Sequence, residues 1–262
     1  MTVALFAAAL YLASSALVWR ALATGGRAVP APIWVAPGAA VALHALAHVL
    51  AWRQAGGANL HFFSALSLVG LGMAGLTLLV GMRGRMAALG PIVFPLAAAT
   101  AVAYVLVGRQ DPQPLEWRVQ LHAWCALLAY ATLAIAALLA ILLWLQEGAL
   151  RRRELRPWMR ALPPLVELES LLFRTITVGF ALLTATLLTG VLFVEDLMAQ
   201  HLAHKTVFSV LSWLAFGALL LGRWRRGWRG ATAVRWTLAA MVLLVLAYFG
   251  TGLVLELILR RR

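Results

Sequence analysis

The chain has 262 residues, 63% of them hydrophobic and only 12% charged, with a mean hydropathy of +0.90. These values exclude a soluble globular domain: apolar runs of about 18 residues or more recur without polar faces at a helical or strand period, and barrel strands would be about half as long and would alternate. The net charge of +13 would suit nucleic acid, but the basic residues lie in the breaks between apolar runs, where they orient a membrane chain. Nucleic acid is therefore not an expected partner.

The chain reads as an all-α, polytopic membrane helix bundle forming a single transmembrane domain over residues 1–262. The first apolar run, "VALFAAALYLASSALVW", has no basic region before it and exceeds a usual signal core, so it reads as a retained first span. Eight spans are expected, at about residues 3–22, 33–52, 61–82, 87–107, 119–145, 171–194, 205–222 and 233–258. Turn or charge signals mark each break, among them "GGRAVPAP", "RQAGGAN", "GRQDPQPLEWR", "EDLMAQHLAH" and "GRWRRGWRG". Alternating the breaks between two sides gathers 15 of the 22 Lys and Arg on one side, which the positive-inside rule assigns to the cytoplasm. Both termini are then expected outside, and Arg260, Arg261 and Arg262 run against the rule.

In this topology no histidine falls on the cytoplasmic face. His122 opens span five and His61 opens span three on the outer side, His201 and His204 lie in the loop before span seven, and His48 is near the outer end of span two. His44 lies one turn deeper, and a polar ring well inside a span is costly and by default a functional candidate. His44 and His48, four apart, share a helix face and form a candidate metal or haem ligand pair; an interfacial ring also snorkels or hydrogen-bonds to a neighbouring helix, which is the preferred reading for His48. His201 and His204 face one ligand if their loop is helical, and are solvated loop residues otherwise. The single cysteine, Cys125, excludes an internal disulfide and any C-x-x-C pair, and no C-x-x-C-H site for covalent haem is present. It reads as a small buried hydrophobe.

Small and polar residues Gly179, Leu183, Thr186 and Gly190 line one face of span six, as helix packing requires. Tryptophans including Trp19, Trp34, Trp52, Trp117, Trp158, Trp224 and Trp228 fall at span ends or in loops and are expected mostly as headgroup anchors. The basic, Leu- and Trp-containing segment 147–170 reads as an amphipathic piece on anionic lipid or a dock for a soluble partner. There is no nucleophile with a plausible base, no P-loop and no zinc-protease motif, so the reading leans against an enzyme.

The ordered series "LHAWCALLAYATLAIAALLAILLWLQE", "LPPLVELESLLFRTITVGFALLTATLLTGVLF", "RRGWRG" and "LAYFG" resembles the membrane cytochrome c assembly family of CcsA and CcmC haem-handling proteins over about residues 118–255. With "LHALAH" in span two, it looks closest to the short YpjD/HemX-like branch. The resemblance implies haem handling, with His122 at the position of an extracytoplasmic axial ligand; the cofactor expected is haem b, held by His122 alone or with a second contact recruited from this chain, His44 first and His61, His201 or His204 behind it. It further implies a bacterial inner-membrane location and other cytochrome assembly proteins as partners. The family's loop signature W-G-x-x-W-x-W-D is replaced here by "VEDLMAQHLAHKTVFSVLSW", and "LELILRRR" carries no histidine where a second ligand is expected. The alternatives are a membrane regulator or scaffold of haem biosynthesis, holding a soluble partner at segments 147–170 and 222–235, and a small transporter or accessory with Glu256 and the outer histidines on an ion path.

Overall fold

The computed structural model describes residues 2–25, 29–58, 60–83, 87–107, 116–153, 162–193 and 200–250, without the side chains of residues 25, 55, 200–204, 249 and 250. Its helices are α1 (Thr2–Gly25), α2 (Val35–Ala55), α3 (Phe62–Gly81), α4 (Gly90–Val107), α5 (Trp117–Arg151), α6 (Leu165–Phe193), α7 (Gln200–Arg226) and α8 (Gly230–Val245). Short 3-10 turns at Ala31–Trp34 and Ala87–Leu89 lead into α2 and α4, and α8 widens into a π-helical turn at Leu246–Gly250. The fold is all-α, with no strand among the described residues, and eight helical segments are long and apolar enough to cross a membrane.

Helices α5, α6 and α7 outrun the expected spans at their charged ends. Hydropathy marks where the chain leaves hydrocarbon, whereas backbone hydrogen bonding continues until a turn signal stops it. The 35 residues of α5 rise about 50 Å, against a hydrocarbon core of about 30 Å. Gly227 (φ 65°) and Gly230 (φ 52°) bracket the turn between α7 and α8, both in the left-handed region that glycine enters without steric cost. Arg260–Arg262, Glu256, Glu195, Asp196 and residues 154–161 of the basic segment lie outside the described residues.

Contacts divide the chain into two compact units, residues 1–115 with 152–164 and residues 116–151 with 165–262. In the first, α1 buries Ala4, Ala7, Ala8, Tyr11, Ser14, Val18 and Leu22, a repeat of three or four residues that puts one stripe against α4 and α2. Helix α4 carries Pro95, which has no N–H for the carbonyl four residues earlier. Ser15 of α1 supplies the missing donor, its hydroxyl bonding the Pro91 carbonyl at 3.1 Å. A proline is tolerated at this depth because a neighbouring helix re-satisfies the freed group. Trp34, at the start of the second span, is buried, with its ring against Gly81 of α3, where no Cβ competes for the space.

In the second unit α5 packs along α6 and against α8, and α7 packs on α8 and α6. The small-residue face of α6 is the reason for the first contact: Gly179, Leu183, Thr186 and Gly190 are all buried. A Cβ on Gly179 would lie 2.5 Å from Leu133 Cδ2, and Leu133 is itself fully buried. Gly179→Ala is expected to lose about 1–3 kcal/mol through overpacking, read as a lower unfolding temperature in detergent; an unchanged or raised temperature would show that Leu133 repacks freely. Interhelical hydrogen bonds complete the unit. Tyr130 Oη donates to the Leu244 carbonyl (2.5 Å), Ser212 Oγ to Ala240 (2.8 Å) and Trp213 Nε1 to Thr184 Oγ1 (2.9 Å).

Candidate functional site

His122 sits in the second turn of α5, half-buried against α6. Its Nδ1 donates to the Thr186 carbonyl at 3.0 Å, with Thr189 Oγ1 3.2 Å away. The Thr189 hydroxyl hydrogen is directed to the backbone of its own helix, at Ala185 (2.8 Å) and Thr186 (3.0 Å), so its oxygen offers only a lone pair to the ring. Both neighbours therefore demand a proton on Nδ1 and fix the neutral ring with its lone pair on Nε2. Nε2 has no hydrogen-bond partner among the described residues, and a ring held through its other nitrogen in this way is oriented for a metal. Gly190 makes the approach possible: a Cβ there would stand 3.2 Å from His122 Cε1. The stripe read from sequence as packing alone thus also seats the ring.

The ring faces a half-open cleft of about 230 Å³ walled by α5, α6, α7 and the end of α8. Its walls are mostly apolar, with polar groups at His122, Tyr130, Thr186, Lys205, Thr206, Ser209 and Tyr248. The wall contributed by α8 contains the π-helical turn, a distortion that recurs at functional sites. Lys205 is the chain's only lysine. Its Nζ stands 5.4 Å from the Tyr248 ring centroid, and no carboxylate pairs with it among the described residues. A lone cation at the start of a span is a functional signal that the sequence already carries. His201 and His204 belong by backbone to the first turns of α7, a helix rather than a loop, and their side chains lie outside the described residues.

The remaining histidines meet in the first unit. His44 and His48 are buried, with ring centroids 5.4 Å apart, and both Nε2 atoms point at one hydroxyl, Ser67 Oγ of α3, at 2.8 and 3.0 Å. His44 Nδ1 lies 3.4 Å from Tyr11 Oη, while His48 stacks on Tyr104 of α4 at 4.6 Å and Tyr104 on His61 at 6.4 Å. One hydroxyl has one hydrogen, so Ser67 donates to one ring and accepts from the other. With Tyr11 donating to His44, the chain of donors runs Tyr11, His44, Ser67, His48 and ends on the His48 Nδ1–H, a buried nitrogen without a partner among the described residues. His44 thus has both ring nitrogens engaged, unlike His122. Ser67→Ala would strand two buried imidazole nitrogens at a cost of about 1–3 kcal/mol, measurable as a drop in unfolding temperature; an unchanged temperature would show that the two rings find other partners. Among the described residues no group of three or more His, Cys, Asp or Glu is placed to hold a metal ion.

The sequence matches the family described as Cytochrome C assembly protein over residues 37–259. The chain belongs to this family. Among its relatives are the Escherichia coli inner membrane protein YpjD, 33% identical over 204 residues that make up 77% of each chain, and an uncharacterized 28.8 kDa protein of Azospirillum brasilense, 35% identical over 180 residues, 65% of this chain and 66% of the other. The cytochrome c biogenesis protein CcsA of Prochlorococcus marinus is 34% identical over 89 residues, 33% of this chain and 28% of the relative. No solved structure matches. The order of motifs read from the sequence, and the YpjD-like branch, are thereby borne out.

Proposed function

We propose that this family member binds and handles haem in the membrane during cytochrome c assembly, with His122 as an axial ligand. The observation that carries the reading is the state of that ring: Nδ1 is committed to the Thr186 carbonyl, and the Nε2 lone pair is left to a cleft of mostly apolar walls. Such a donor set fits a haem iron and an apolar macrocycle edge. When bound, haem b would supply a Lewis-acidic, redox-active iron, and the protein would supply ligation, orientation and access. Thr186 and Thr189 hold the imidazole in register, Gly190 gives it room, and Lys205 offers the cleft one positive charge for an anionic substituent. Within the same unit the candidates for a second contact are His201 and His204, whose side chains lie outside the described residues, while His44 of the first unit is a ligand only if its Nε2 leaves Ser67.

In this reading the protein sits in the bacterial inner membrane with both termini and the cleft on the outer side, alongside other cytochrome assembly proteins. Labelling of a cysteine at position 200 from the cytoplasmic side would overturn that orientation. The binding claim is tested by purifying the protein from haem-replete cells and recording its absorption spectrum. A Soret band is expected, or its appearance on titration with haemin. A colourless protein that reconstitutes no haem would overturn the proposal.

A further inference from the structure

At the opposite end of the second unit from His122, the turn between α7 and α8 holds a built arrangement of arginines that the haem reading does not use. Glu169 of α6 is buried, and its Oε1 accepts from both Arg223 Nη1 at 2.7 Å and Arg229 Nε at 3.0 Å. Arg223 is further held by the Trp228 carbonyl (3.3 Å) and by the Phe173 ring, 4.6 Å away. Arg229 is anchored through Nε alone, its side chain is 57% exposed, and its two terminal NH2 groups have no partner among the described residues. The carboxylate thus fixes the direction of a guanidinium fork whose free donors match two oxygens of a phosphate.

Around this fork Arg225, Arg226 and Arg235 are exposed, and Arg225 lies 5.7 Å from the ring of Trp224, itself 78% exposed. Trp236 is exposed and tilts against Trp228 with centroids 5.4 Å apart. The start of α8 is a separate matter, since the Glu147 carboxylate already lies beside it, where a Cβ on Gly230 would be 3.4 Å from Oε2. Of the five arginines in this stretch, Arg223 and Arg229 share Glu169, and Glu147 is paired with Arg151 of α5 at 2.6 Å, so Arg225, Arg226 and Arg235 add positive charge that no described carboxylate pairs with. A three-residue turn between two spans must lie at a membrane surface, and indole rings favour the headgroup zone. We infer that the α7–α8 turn is a binding site for the phosphodiester headgroup of an anionic membrane lipid, held by the Arg229 fork with Arg225 and Arg226 beside it.

The test is native mass spectrometry of the full chain in detergent, titrated with phosphatidylglycerol or with phosphatidylcholine, and with glycerol 1-phosphate as a competitor lacking acyl chains. Phosphatidylglycerol is expected to be retained over phosphatidylcholine, and each arginine lost is expected to weaken that preference about fivefold. Arg225→Gln with Arg226→Gln lies outside the Glu169 clamp and reads charge without disturbing the fold. Arg229→Lys keeps the charge and removes the fork, and is expected to weaken the preference by less than Arg229→Gln does. Equal retention of the two lipids, or a preference unchanged in Arg229→Gln, would overturn the inference. Displacement of the lipid by glycerol 1-phosphate at equal concentration would also overturn it, because the site would then recognise a soluble phosphate. So would loss of the preference when a soluble protein is captured at the same arginines.

Discussion

Exchanging His122 for alanine is expected to lower haem affinity by at least tenfold, and to remove the Soret band from protein purified out of haem-replete cells. Changing the groups that hydrogen-bond to a ligating histidine alone costs about 10–100-fold, and removal of the ligand itself should cost no less. The variant should stay folded, because His122 is only half-buried and its one backbone partner, the Thr186 carbonyl, lies in a helix that α5 grips mainly through Leu133 and its neighbours. External imidazole should restore part of the band by entering the space the ring vacates. Gly190→Leu is expected to reach a similar loss by a different route, since a side chain there displaces a ring whose Cε1 stands 3.2 Å from the Cβ position. Full haem binding in His122→Ala, with an unfolding temperature equal to the parent, would remove His122 from the site.

The second large effect concerns stability. Replacing Arg223 and Arg229 together by glutamine leaves the buried Glu169 carboxylate without a positive partner, a loss of about 3–5 kcal/mol by comparison with other broken buried pairs. Glu169→Gln should cost less, because Arg223 and Arg229 are 33% and 57% exposed and can rehydrate when the acid is gone. Either single arginine change should fall between, since Glu169 keeps one partner. Unfolding in lipid-free detergent measures the order, and keeps it separate from any lipid retained at the turn. A double arginine variant as stable as the parent, or a larger loss in Glu169→Gln, would contradict the role of the clamp.

Much of the architecture was legible because lipid imposes a coarse rule: every spanning segment must satisfy its own backbone, so long apolar runs are helices. The eight spans follow from that rule, and the lengths of α5 and α6 do not, since their charged ends carry no hydropathic mark of helix. Gly179 and Gly190 were legible as packing positions, but that Gly190 makes room for His122 depends on how α5 and α6 are phased. Lys205 and Tyr248 reach one cleft from helices far apart in sequence, and no local pattern announces such a meeting. Depth is what singles out His44 in the sequence as a candidate ligand. Depth alone does not distinguish a ring waiting for a metal from one already held by Tyr11 and Ser67.

Whether the His122 ring itself touches the iron is the most direct question, and it is answered by protein grown with 15N-labelled histidine and loaded with ferric haem. Pulsed electron paramagnetic resonance then counts the labelled ring nitrogens coupled to the iron. One labelled coupling is expected to disappear when His122→Ala is loaded in the presence of unlabelled imidazole, with the Soret band retained. The same number of labelled couplings in parent and variant would contradict ligation by His122.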